Sequence, residues 1–359
     1  MVTRLYVNNF LSLVACNVSF DSFGVLCGYN GAGKTSIMKA LRFVRDVAIG
    51  KITLGNAEDA KLCRTNWLES KTQEFEIELV LEQRIFKYII HIEQLADHEK
   101  PRIIKECALC DGVELFSRDR TGVKIHKKDG GEVAFPLDWR QSAIASIYGV
   151  KEIETLKDLL ENILIIRPNP ITIEHISRAE SQFIDTDMSN LISWYRHFAQ
   201  EQDWTDVLRD SLRMVWSDFR SFRLSDMGNN VKTLELRFET TQIYFEQLSD
   251  GEKMLIALYM IHAALATEKV ATVLIDEPDN YVSTQELQPW LLSVLELLND
   301  RRQLIIISHN PEIIDSVSSE SCRYLWRDNH ASPTRIEPLH IPQNMTASEA
   351  ITRGWIEHA

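Results

Sequence analysis

Gly28-Tyr-Asn-Gly-Ala-Gly-Lys34-Thr35 sets three glycines, a lysine and a hydroxyl in one short stretch. Glycines at 28, 31 and 33 admit positive φ and let backbone N–H groups close around phosphate oxygens. A lysine and a threonine ending such a loop fit the β- and γ-phosphates of a nucleoside triphosphate and its Mg²⁺. The elements that must hold the loop are present: Val25-Leu-Cys27 reads as a strand entering it, and a helix-favouring run from Thr35 to about Val44 leaves it. The positive end of that helix faces the anion. The expected nucleotide contacts are Asn30, Gly31, Ala32, Gly33, Lys34, Thr35 and Ser36.

A second group of reactive residues lies far along the chain. The apolar, β-branched run from Val270 ends in Asp276-Glu277-Pro278, as a buried parallel strand with carboxylates at its tip would. Asp276 is expected to hold Mg²⁺ and Glu277 to polarise the attacking water as general base. Gln303–Ile307 repeats the buried-strand pattern and ends in Ser308-His309-Asn310, which puts His309 on the same rim to contact the γ-phosphate and hold that water. Between the two groups, Leu248-Ser-Asp-Gly-Glu252 precedes an apolar helical run. Ser249 and Glu252 fit a capping box, and a Ser-capped, Gly-containing helix start also suits an anion.

Taken in order, GYNGAGKT, LSDGE, LIDEP and ISHN resemble the ABC-type ATPases in their SMC-like and OLD-like branch. The resemblance covers about residues 1–45 and 240–330 and only loosely the middle. It identifies Leu248–Glu252 as a signature motif, with Asp250 and Glu252 departing from the usual Leu-Ser-Gly-Gly-Gln and Ser249 and Gly251 kept. It implies ATP and Mg²⁺ as ligands, with Thr35 and Asp276 as metal ligands. It also implies a head-to-tail homodimer, or an assembly of such dimers, with ATP between Lys34 and Ser249 and Gly251 of opposite subunits. At the family's D-loop, Val282 and Ser283 replace a Leu and an Asp or His; the Q-loop amide is either Gln141 or Asn169.

With 359 residues, 45% hydrophobic and 25% charged, the chain can bury a sizeable core. Its longest apolar runs are strand-sized, too short for a bilayer, and Met1–Val7 reads as a first strand rather than a leader. Cytoplasmic residence without membrane contact is expected. Six scattered cysteines argue against a disulfide framework, and Cys107-Ala-Leu-Cys110 lacks the second pair a zinc site wants. A net charge of −13 disfavours general adhesion to nucleic acid. The local exception is Arg118, Arg120, Lys124, Lys127 and Lys128 around an Asp129-Gly130-Gly131 turn, a candidate DNA contact or a solvated hairpin face.

About 210 residues separate Lys34 from Leu248, with neither heptads nor repeats. Strand patterns cover Phe75–Val80, Phe86–Ile92, Ile103–Leu109, Val113–Phe116, Val123–His126 and Val133–Phe135. Helical patterns follow over Gln141–Asn162 and, after Pro168-Asn-Pro170, over Ser189–Phe219; strands return at Leu234–Phe238 and Gln242–Phe245. The expected fold is α/β, a P-loop NTPase of ABC-ATPase type with a mixed central sheet, an N-terminal β subdomain and a helical insertion. The expected regions are 1–92 (ATPase lobe with the phosphate loop), 93–231 (inserted hairpins and helices) and 232–359 (the second lobe). The short insertion resembles that of OLD-like defence ATPases, and no nuclease-like cluster follows His309. Two functions are compatible with this: a regulatory ATPase of an anti-phage system acting on a separately encoded nuclease or toxin, or a DNA repair ATPase of RecF or SMC type that grips DNA.

Overall fold

Period-two burial organises the N-terminal part of the chain. β1 (Val2–Asn8) pairs antiparallel with β2 (Cys16–Ser19), and β3 (Phe23–Gly28) leads through the phosphate loop into α1 (Lys34–Ala48). β4 (Thr72–Leu81) and β5 (Arg84–Glu93) send Phe75, Ile77, Phe86, Tyr88 and Ile90 into the core. The alternate positions carry charge, and Glu76 and Glu78 each pair with both Arg4 and Lys87. β6 (Arg102–Cys110), β7 (Val113–Asp119), β8 (Gly122–His126) and β9 (Glu132–Phe135) complete an antiparallel sheet in the order β2-β1-β4-β5-β6-β7-β8-β9. The stretch expected to be helical from Gln141 divides into α2 (Ala143–Ser146) and α3 (Lys151–Glu161). Ile147 is extended and Gly149 adopts φ +77°, neither compatible with a continuous helix.

The computed structural model describes residues 1–55, 63–94, 100–126, 131–315, 321–339, 341 and 345–353. They form two compact units, 1–163 with 313–359, and 164–312.

In the second unit β10 (Ile163–Ile166) lies beside β15 (Thr272–Asp276), which runs parallel to β16 (Gln303–Ile307). All three are buried along their whole length; β10 is apolar throughout, and at the start of β15 and β16 the buried Thr272 hydroxyl donates to the Gln303 side-chain carbonyl at 3.0 Å. β11 (Ile176–Ser177) precedes α4 (Leu191–Phe198) and α5 (Gln202–Val215). There Trp194, Tyr195 and Phe198 pack around Trp204 with ring centroids 5.6–6.2 Å apart. These four aromatic residues are buried and form the core of this part of the unit. β12 (Phe219–Asp226) pairs with β13 (Lys232–Phe238), which also pairs with β11 and β14 (Gln242–Tyr244). β12 begins where the expected helical stretch ends, at Phe219, and is not among the expected strands: most of its residues are part-exposed and it has no apolar run. α6 (Asp250–Ala266) is buried from Met254 to Leu265 on every face, and Trp290 of α7 (Thr284–Leu297) donates its indole N–H to the Leu258 carbonyl at 2.8 Å.

The chain then re-enters the first unit. β17 (Cys322–Trp326) lies parallel to β3 and antiparallel to β18 (Arg335–Pro338), so parallel and antiparallel pairing mix here; α8 (Ala347–Arg353) follows.

Two candidate surface features change character. Arg118 is buried, donating to the Gln141 and Asp138 carbonyls and lying 3.5 Å from Glu106, so it is a core group and not a nucleic-acid contact. Arg120 reaches Glu93, while Lys127, Lys128, Asp129 and Gly130 lie outside the described residues. Cys107 and Cys110 sit on β6 three residues apart, which points them to opposite faces. Among the described residues no cluster of His, Cys, Asp and Glu could hold a metal ion, and no helix is long and apolar enough to cross a membrane.

Candidate functional site

The phosphate loop is built on close backbone contacts. Gly28 ends β3 at φ +137°, where a Cβ would run into the Leu325 carbonyl of neighbouring β17. Gly33 stands at the start of α1 with φ +110°, and a Cβ there would strike the Thr334 hydroxyl. Glycine is required at both positions by conformation and by space. Thr334 Oγ1 donates to the Ala32 carbonyl at 2.9 Å, and Arg327 donates to the Gly31 carbonyl at 3.3 Å, so the hairpin β17–β18 buttresses the loop from behind. The first turn of α1 contains no acidic residue of its own, so within the helix nothing opposes an anion at its positive end. Lys34 is buried, with Nζ donating to the Gly28 carbonyl at 2.6 Å and to the Tyr29 carbonyl at 3.1 Å. Its ammonium is thus held inside the curve of the loop. Beneath it Cys27 and Cys322 bring their sulfurs to 3.0 Å. The neighbouring thiol first, and burial second, push Cys27 well above the usual thiol range, so the loop rests on an uncharged floor.

In the second unit, three strand ends converge. Asp276 ends β15 with 2% exposure. Glu277 follows in the left-handed region at φ +55°, its N–H bonded to the Ile307 carbonyl at the end of β16. Such a backbone is uncommon outside glycine and costs about 1–3 kcal/mol, which the surrounding contacts must offset. The carboxylate is accordingly well held. Oε2 accepts from Arg167 at 3.1 Å and from Asn280 at 3.0 Å, and Oε1 lies 3.6 Å from His309 Nδ1. Arg167 Nε also stands 3.8 Å from Asp276 Oδ2. Ser308 donates to Asp279 at 3.0 Å and accepts from the Asn310 N–H, which ties the turn after β15 to the turn carrying His309.

Ser249 caps α6 in a capping box: its hydroxyl accepts from the Glu252 N–H at 3.3 Å, and Glu252 accepts from the Ser249 N–H at 2.8 Å. Ser249 is exposed, and its N–H and hydroxyl are both engaged by the Glu252 carboxylate, so the isolated helix start presents a capping box with Asp250 and Glu252 in its first turn. Gly251 packs on the Tyr281 carbonyl, five residues beyond Asp276. Val282 is buried, and Ser283 occupies the N-cap position of α7 with its hydroxyl donating to the Glu286 carboxylate at 2.6 Å.

The structure thus assembles Asp276, Glu277 and His309 in one cluster, and Asn30 to Ser36 in one loop. Of the two Q-loop alternatives, Asn169 uses its side chain to close a turn on the Ile171 N–H, and Gln141 gives its carbonyl to Arg118. Arg167 is the residue that sequence reasoning passed over. Its signal was available: it directly follows the fully apolar β10, as Asp276 and Glu277 close β15.

Solved structures of SMC heads share this fold. An SMC head bound to the C-winged helix domain of ScpA superposes with a TM-score of 0.60 at 14% identity, covering 94% of this chain and 98% of that one. An SMC head with an extended coiled coil, bound to the C-terminal domain of ScpA and derived from Pyrococcus furiosus, gives 0.54 at 12% identity over 99% and 98%. The SMC head from Thermotoga maritima gives 0.50 at 14% over 95% and 99%. The chain is therefore an α/β P-loop ATPase fold of the SMC-head type, as the order of its motifs implied. No curated protein matches by sequence. A family model aligns from Phe23, where the strand before the phosphate loop begins, to Asp315, just past His309, and the chain belongs to that family, described as "AAA domain, putative AbiEii toxin, Type IV TA system".

Proposed function

We propose that the protein binds Mg-ATP, hydrolyses it, and acts as the regulatory subunit of a prokaryotic anti-phage system that controls a separately encoded nuclease or toxin. The observation that carries hydrolysis is the 3.6 Å approach of His309 to Glu277 beside the buried Asp276. The loop amides from Asn30 to Ser36 and the Lys34 ammonium bind the phosphates. The Thr35 hydroxyl and the Asp276 carboxylate are hard oxygen donors of the kind Mg²⁺ takes, so the residues fit the ion. The chemistry supplied by bound Mg²⁺ is neutralisation of charge on the phosphate oxygens. Glu277 takes the proton of the attacking water through Oε1, and His309 orients that water toward the γ-phosphate. Ser249 and Gly251 close the nucleotide site of the partner subunit in a head-to-tail homodimer, from which higher assemblies can be built.

The defence setting is supported by the toxin–antitoxin wording of the family description, and a switch role by an insertion of hairpins and short helices in place of long arms. DNA gripping loses one of its five candidate cations with the burial of Arg118. Light scattering of the Glu277→Gln protein with and without Mg-ATP, and with duplex DNA, tests the first step. ATP-dependent doubling of the 41.4 kDa mass without DNA binding supports the proposal. A mass indifferent to ATP, or turnover unchanged by the substitution, refutes the dimer or the base respectively. Phage plating on cells carrying the gene with its genomic neighbours, wild-type against Glu277→Gln, tests the regulatory role; equal protection by both would sink it.

A further inference from the structure

The Arg167 guanidinium is placed beside two carboxylates by the sheet itself. β10 and β15 are neighbours, both fully buried, and Arg167, the residue after β10, meets Asp276 at the end of β15 and Glu277 just beyond it. The Arg167 backbone is anchored by its N–H to the Thr186 carbonyl at 2.6 Å, and Pro168 stiffens the next residue. Its side chain is 53% exposed, so the pair with Glu277 adds little to stability, on the order of 0–1 kcal/mol for an exposed ion pair. What the contact does supply is orientation. Arg167 and Asn280 together hold Oε2, which turns Oε1 to His309.

On the reading of Glu277 as general base, we infer that Arg167 is the positioning residue for hydrolysis. It fixes the Glu277 carboxylate so that one oxygen is presented to the attacking water, and it acts through Glu277 rather than through the nucleotide. A planar fork suits this task better than an ammonium, because it spans Glu277 and Asp276 at once. Misplacing a general base by a fraction of an ångström costs rate without costing binding.

The experiment compares Arg167→Ala and Arg167→Lys, each alone and Arg167→Ala also combined with Glu277→Gln, by single-turnover ATP hydrolysis. Affinity for a fluorescent ATP analogue and thermal unfolding are measured in parallel. Arg167→Ala is expected to lower the hydrolysis rate about 30-fold, with nucleotide Kd within about threefold of wild type and an unchanged melting transition. Arg167→Lys is expected to recover part of the loss. In the Glu277→Gln background, Arg167→Ala should change the residual rate by less than about twofold, because the group it orients is already disabled. Three results overturn the inference: a single variant with wild-type rate, a loss that appears as weaker nucleotide binding, or an equal loss in both backgrounds. Wild-type turnover by Glu277→Gln alone would instead overturn the base assignment on which the role of Arg167 rests.

Discussion

The Gly251 backbone lies against the Tyr281 carbonyl so closely that an added Cβ would sit 2.9 Å from the oxygen. Gly251 belongs to the first turn of α6 and Tyr281 to the turn after Glu277, so the glycine has a structural duty quite apart from any contact with nucleotide. Gly251→Ala is expected to destabilise the nucleotide-free protein by about 1–2 kcal/mol, the usual cost of forcing a methyl into a filled space. Urea unfolding without nucleotide checks this. An unchanged midpoint would mean that the turn at Tyr281 yields freely.

Lys34 holds two loop carbonyls, those of Gly28 and Tyr29. Lys34→Ala is expected to weaken ATP binding on the order of a hundredfold, the loss of one or two charge-assisted hydrogen bonds. The far-ultraviolet spectrum should stay as in wild type, since α1 keeps its buried face from Ile37 to Ala48. Titration of a fluorescent ATP analogue measures the effect, and an affinity within threefold of wild type would remove Lys34 from the site.

Glu106 is fully buried at the centre of a polar network. It accepts from Tyr88 at 2.9 Å, from Ser142 at 2.6 Å and from the Ala143 N–H, with Arg118 at 3.5 Å. These bonds pin the segment ahead of α2 to the antiparallel sheet. Glu106→Ala would leave the Arg118 guanidinium buried without its carboxylate, and a loss of about 3–5 kcal/mol in unfolding free energy is expected. Denaturant unfolding reads it directly; a loss under 1 kcal/mol would show that water replaces the carboxylate.

His262 lies buried on α6, 3.2 Å from the Ser211 hydroxyl, and burial lowers its pKa. The folded state therefore keeps the imidazole neutral where the unfolded chain, with a pKa near 6.5, takes up a proton. Unfolded chains bind more protons in this window, so stability is full above about pH 6.5 and falls as pH drops through the unfolded value toward the lower folded one. His91, also lowered by burial, acts in the same direction. His262→Gln should flatten part of the slope of unfolding midpoint against pH between about 5 and 7. An identical slope in the variant would assign the whole effect elsewhere.

Much of the architecture is legible in the residues alone, where the governing physics is local. The strand entering the phosphate loop, the capping box at Ser249 and the alternation from Phe75 to Ile92 each depend on residues a few positions apart, and each is present as read. β12 is the instructive miss: with partial exposure on most of its length, its pairing to β13 and not its own pattern makes it a strand.

The chain's own order of motifs determined the fold class, because glycine conformations, apolar strands and caps are written in consecutive residues. Tertiary structure alone decided which charges meet. Arg167 and Glu277 are 110 residues apart and touch because β10 and β15 are neighbours in a sheet. Arg118 reads as a surface cation until the sheet and the segment from Asp138 to Gln141 enclose it. A charge carries no periodic signal of its own, and its partner is set by strand order, a property of the packed molecule and not of any stretch of chain.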